Sequence, residues 1–233
     1  MTTGRRGQGW VRRSATIEAE DPRVTRSRAL ILDAAATVFL SVGYTAATVE
    51  GIAVTAGVAK RTIYNLYADK AALFRATILR SIDTADDFTS SLVDAVRSVV
   101  DPVAELPQIG ARLAEAVLTR SVLPLRRLLV MESRTFPELA AEYRDRAPEA
   151  VLRALADLFA SLSRTGHLSV SDPQVAAEHF AFLVMGADLD RGMFVAQQVE
   201  AGRMVARSAA GVAAFLRAYA PPDRSRRIGW TAR

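Results

Sequence analysis

The chain has 233 residues, half of them apolar and 24% charged, with a net charge of +5 and no cysteine; this excludes disulfides, thiolate metal sites and a cysteine nucleophile. Seven arginines against three acidic residues in 1–28, and four against one in 221–233, place the excess positive charge at the two ends, where an acidic partner would be met. No run of about 18 apolar residues and no signal-peptide pattern is read, so a cytoplasmic protein with no membrane partner is expected.

Apolar residues recur every three or four positions almost throughout, and alternating β-branched stretches are missing, so the expected class is all-α with nine to ten helices. Residues 1–23 read as a flexible, arginine-rich arm. A first helix starts near Thr25, carries the stripe Ile31, Ala35 and Phe39, and should stop at Gly43, where a left-handed residue costs little. Thr48 is a good N-cap for a short helix bearing Val49, Ile52, Ala53 and Ala56, which Gly57 ends; a third helix spans Val58 to Tyr67. Asp69 caps a long amphipathic helix from Lys70 into the nineties. Beyond it Asp101-Pro102 and Pro107 punctuate the chain, and helices follow at about 108–120, 122–134, 137–146 and 148–165. Asp172-Pro173 starts a helix ending near Gly192, and a last helix covers about 199–219 before the basic tail 221–233.

Two short helices that meet at a sharp angle need small or apolar residues where they touch and a turn that tolerates positive φ. Val49, Ile52, Ala53, Ala56, Val58, Ile63 and Leu66 supply the first and Gly57 the second. The same spacing leaves Lys60, Arg61, Thr62, Tyr64, Asn65 and Tyr67 as the polar or amphipathic set of the third helix. Lys and Arg reach guanine edges, Thr and Asn reach bases or phosphates, and Tyr hydroxyls bond phosphates, so this set suits a DNA groove. A solvated face on a buried hairpin is the bland alternative, and the two tyrosines argue against it.

The run Gly57-Val58-Ala59-Lys60-Arg61-Thr62-Ile63-Tyr64-Asn65-Leu66-Tyr67-Ala68-Asp69-Lys70-Ala71-Ala72-Leu73-Phe74, with Ile31, Ala35, Phe39, Gly43, Tyr44 and Thr48 upstream, resembles the TetR family signature over residues 25–75. The resemblance implies a helix-turn-helix head (24–70) on a helical effector-binding and dimerisation domain (71–220). It also implies a homodimeric repressor that leaves double-stranded operator DNA when a small molecule enters the second domain. Carried over by position, it places Lys60, Arg61 and Thr62 nearest the bases, with Thr48, Tyr64, Asn65, Tyr67 and Lys70 mainly on phosphates. Gly51 stands where the family often has an acidic residue, so no capping box is expected. Tyr67 replaces a common Phe, and its ring is expected in the hairpin core. Arg12, Arg13, Arg23 and Arg26 form a candidate DNA-contacting arm.

From Leu125 to Phe194 the chain, with Leu128, Glu132, Phe136-Pro137-Glu138-Leu139, Ala147-Pro148, Leu152, Asp172-Pro173 and Phe180, resembles an AefR-like C-terminal domain. Candidates to line an apolar effector cavity are Leu113, Val117, Leu128, Met131, Phe136 and Leu139, then Tyr143, Leu155, Phe159, Phe180, Phe182 and Met185; most are expected to be core, since such a stripe at helical spacing is more often packing than a ligand site. Val175, His179, Leu183 and Gly186, with Ala209, Val212, Phe215 and Leu216, are expected at a dimer interface, since one head covers too little groove for tight specific binding. Arg134, Glu132 and His179 are the polar candidates to orient an effector, although for His179 a histidine satisfied within a helix interface is the favoured reading. No cofactor or metal is expected. Two other classes stay open: a DNA-bound module answering to a protein partner, and a helical enzyme, for which the sequence offers no catalytic constellation.

Overall fold

The computed structural model describes residues 22–99, 101–118, 122–195 and 200–222, with the side chains of 85–88 excepted. Among the described residues there are eleven helices and no strands. Residues 1–21, which hold Arg12 and Arg13, and the tail 223–233 lie outside them.

The first four helices are α1 (Pro22–Ala46), α2 (Val49–Ala56), α3 (Lys60–Leu66) and α4 (Lys70–Arg97). Ile31, Ala35 and Phe39 are fully buried, as the four-residue spacing requires. At Gly43 the backbone takes φ 77°, ψ 174°, so α1 breaks there instead of ending, with one further short stretch to Ala46. The Lys70 ammonium donates to the carbonyls of Tyr44 (2.9 Å), Thr45 (3.3 Å) and Ala47 (3.0 Å), closing the helix end that the break leaves open. Thr48 caps α2 by accepting from the Gly51 amide at 3.0 Å, the single side-chain bond expected without a capping box. Gly57, at φ 67°, ends α2 with a Schellman pair of bonds: its amide reaches the Val54 carbonyl and the Val58 amide reaches that of Ala53. Asp69 caps α4 through the Ala72 amide at 2.7 Å.

The remaining helices are α5 (Pro102–Val117), α6 (Val122–Glu132), α7 (Pro137–Arg146), α8 (Pro148–Arg164), α9 (Pro173–Met185), α10 (Ala187–Phe194) and α11 (Ala201–Ala218). Two boundaries differ from expectation. Pro107 lies inside α5, on its exposed side, so the carbonyl deprived of an amide partner can face water. The helix from Asp172 ends at Met185, because Gly186 adopts φ 56°, ψ −153°, and α10 begins anew after it.

Two apolar cores result. One joins α1, α2, α3 and the first half of α4 to α6 and α7. Within it Phe74 lies 4.9 Å from the rings of Phe39 and Tyr44 and 4.7 Å from that of Phe136. The other is built from the second half of α4 with α5, α8, α9 and α11, around the mutually packed Phe159, Phe180 and Phe215. α1 is long and apolar enough to cross a membrane, a segment the sequence reading did not single out. Its apolar face is instead spent inside the first core, where Ile31, Leu32, Ala34, Ala35 and Phe39 are buried.

Candidate functional site

α3 is fastened by Ile63, 1% exposed, and by Tyr67 just beyond its end, 6% exposed. Fixing these two inward leaves Lys60, Arg61, Tyr64 and Asn65 exposed along one face at i, i+1, i+4 and i+5, with Thr62 half-buried at its side. The Lys60 ammonium pairs with the Glu50 carboxylate of α2 and lies 5.6 Å from the Tyr64 ring centroid. That hydrogen bond holds the Glu50 carboxyl below its ordinary range and raises Lys60, so the pair stays charged at neutral pH. A short helix with an exposed cationic and amide-bearing face, standing clear of the body, has the shape and donors for a major groove.

Between the two cores lies a cavity of about 400 Å³. Its walls are Thr89 and Leu92 of α4, Leu113, Ala116 and Val117 of α5, Val122 and Arg126 of α6, and Tyr143 and Arg144 of α7. Ala147, then Pro148, Glu149, Val151 and Leu152 of α8, then Glu178, Ala181, Phe182 and Met185 of α9, and Leu189 of α10 complete it. The lining is mostly apolar with a few polar groups, the usual makeup of a small-molecule site. Tyr143 belongs both to this wall and to the core beneath the helix-turn-helix. Burial pushes its phenol upward, and the nearby Arg126 charge opposes that shift, so the hydroxyl remains a protonated donor at neutral pH.

Residues 31–77 match the family described as bacterial regulatory proteins, tetR family, and residues 104–221, half of the chain, match the AefR-like transcriptional repressor C-terminal domain. The chain belongs to the TetR family. A solved structure described as a TetR-family transcriptional regulator from Mesorhizobium loti is similar to this regulator at 27% identity and TM-score 0.74, covering 86% of this chain and all of the other. The flavonoid-responsive regulator FrrA is 26% identical with TM-score 0.58, over 85% of this chain and 99% of its own. FadR of Bacillus halodurans, a fatty acid degradation regulator, shares the fold at 19% identity and TM-score 0.60, over 85% and 97%. No curated protein sequence matches.

In this TetR-family regulator the expected reading residues fall into three groups. Lys60, Arg61, Tyr64 and Asn65 are presented outward, and Thr48 and Thr62 flank them. Tyr67 is turned into the core, as its ring was expected to be, and its hydroxyl is buried there, so the expected phosphate contact is not open to it. Lys70 is committed to three carbonyls and to the Tyr44 ring, 4.5 Å away, so its expected phosphate role gives way to a structural one. Arg23 and Arg26 are exposed on the first turn of α1.

Of the twelve cavity candidates, Leu113, Val117, Tyr143, Phe182 and Met185 line it. The other seven do not line it. Leu128, Phe136 and Leu139 lie in the core under the helix-turn-helix, on the far side of α6 and α7. Leu155, Phe159 and Phe180 are packed solid in the second core, and Met131 is 65% exposed. Periodicity marks an inward face without saying which neighbour it meets. Glu132, Arg134 and His179 are not in the wall either; His179 Nδ1 instead lies 2.7 Å from the Tyr219 hydroxyl. Sequence reasoning missed Arg126, whose only signal was a charged pair, Arg126-Arg127, set among leucines on one helix.

The interface candidates also divide. Val175, His179, Leu183 and Ala209 are exposed, and Gly186 and Leu216 are half-buried. Val212 and Phe215 are not interface residues: at 1% and 0% exposure they fill the protomer's own core, so neither has surface to offer a second copy.

Proposed function

We propose that this regulator is a homodimeric repressor whose two α3 helices read operator DNA and which lets go when a small, largely apolar effector fills the cavity. The observation that carries the reading is the double membership of Tyr143. A molecule entering the cavity presses on a side chain of the apolar cluster that continues up to the DNA-binding head, and on α6 and α7, the first of which packs on α1. Occupancy can therefore shift the head only as far as the effector prefers one arrangement of these helices over the other. The reading head is taken as residues 24–70 and the sensing domain as 71–220, with dimer contacts through α9 and α11. Arg23 and Arg26, and the arm that carries Arg12 and Arg13, add phosphate contacts. The protein acts in the cytoplasm, has no catalytic role and answers to a small molecule, a mode of control supported by the likeness to flavonoid-responsive FrrA.

Fluorescence anisotropy on DNA from the gene's own upstream region, across a salt series, tests the proposal. Tight, salt-dependent binding that exceeds binding to a scrambled duplex and falls about tenfold or more in Arg61→Ala is expected. Equal affinity for both duplexes, unchanged in Arg61→Ala, would remove α3 from the mechanism.

A further inference from the structure

The cavity holds two donors that meet no acceptor among the described residues. Arg126 is half-buried in the wall, and among the described residues no carboxylate lies within 4.0 Å of it and no acceptor takes its guanidinium protons. Its neighbours are satisfied differently: Arg144 pairs with Asp145 at 2.9 Å, and Arg146 with Asp83 at 2.7 Å and Glu142 at 3.0 Å. The Tyr143 hydroxyl, on the adjacent helix and 7% exposed as a residue, likewise makes no hydrogen bond among the described residues. An uncompensated cation beside apolar walls is costly, and an incoming acceptor that carries negative charge recovers that cost where a neutral one does not.

The cavity's two carboxylates have other circumstances. Glu149 stands in the first turn of α8, where the helix amides already favour a negative charge, and Glu178 is exposed on α9. We propose that the effector is an amphipathic organic carboxylate, its apolar body against Leu92, Leu113, Val117 and Leu152 and its carboxylate bound by Arg126 and the Tyr143 hydroxyl. This deepens the effector-release reading and rests on it. A volume of about 400 Å³ falls near the lower end of the roughly 300–1,000 Å³ usual for such sites, which suits a compact molecule.

The test is calorimetric titration of the full chain with straight-chain and phenyl-substituted monocarboxylates, beside the matching primary amides and amines, on wild type, Arg126→Gln, Arg126→Lys and Tyr143→Phe. Expected is a carboxylate that binds about tenfold or more tighter than its amide, a preference that Arg126→Gln abolishes, Tyr143→Phe weakens and Arg126→Lys partly keeps. Unchanged amide binding to Arg126→Gln shows that its cavity is intact. Equal binding of carboxylate and amide, or a preference indifferent to Arg126, overturns the carboxylate class and leaves a cavity effector standing. Preference for amines overturns it in favour of Glu149 or Glu178. A carboxylate that binds through Arg126 without releasing operator DNA in the anisotropy assay supports this site and sinks the release reading. No binding by any series, with native circular dichroism, overturns the carboxylate site alone.

Discussion

Glu50 and Lys60 face each other across the helix-turn-helix, and their pairing has an energetic consequence for DNA. To meet a phosphate or a base, Lys60 must give up Glu50, and the carboxylate then stays close to a polyanion. Because the pairing holds the Glu50 carboxyl below its ordinary range, acidification alone releases Lys60 only well under neutral pH. Glu50→Gln should therefore tighten operator binding by about fivefold at low salt, read by anisotropy at neutral pH. Weaker binding by the variant would mean that Glu50 orients Lys60 instead of restraining it.

Between α9 and α11 the decisive feature is a glycine. A Cβ on Gly211 would stand 2.2 Å from the Leu183 carbonyl oxygen, a backbone atom that cannot turn aside. An ordinary glycine-to-alanine exchange inside a helix gains about 1 kcal/mol. Here the clash should reverse the sign, so Gly211→Ala is expected to lose about 2 kcal/mol net in urea unfolding followed by circular dichroism. Gly202→Ala is the internal comparison: its Cβ would meet only the flexible Glu200 carboxylate, at 3.0 Å, and the variant should be neutral or slightly stabilised. Equal behaviour of the two would show that close α9–α11 packing is not what Gly211 secures.

At the scale of the whole molecule, two half-sites about one DNA turn apart require two copies held in a fixed relation. The exposed apolar residues Val175 and Leu183 of α9 and Val205 of α11 offer surface for that contact, whereas Phe215 does not. Leu183→Asp should shift sedimentation to monomer and weaken operator binding while the helical spectrum stays native. Phe215→Asp should instead cost at least about 4 kcal/mol of stability, because it buries a charge among Phe159, Phe180 and Tyr219. A folded, dimeric Leu183→Asp protein would move the contact away from α9.

The sequence by itself determined most of what depends on local spacing, though not the break at Gly43, the helix running through Pro107 or the stop at Gly186. The all-α class, the caps at Thr48, Asp69 and Asp172, the Gly57 turn and the outward face of α3 all follow from neighbours within one helical turn, so they are legible along the chain. Tertiary structure alone decided which apolar stripes meet. Phe136 and Tyr143 share one helical region in sequence, yet the first packs wholly under the head while the second also borders the cavity. Lys70 reads as a surface cation until the break at Gly43 places three carbonyls within its reach. Arg126 becomes notable only because the fold gives it an apolar cavity and no counter-charge among the described residues. Each of these depends on distance between residues far apart in the chain, and periodicity carries the direction of a side chain without the identity of what it faces.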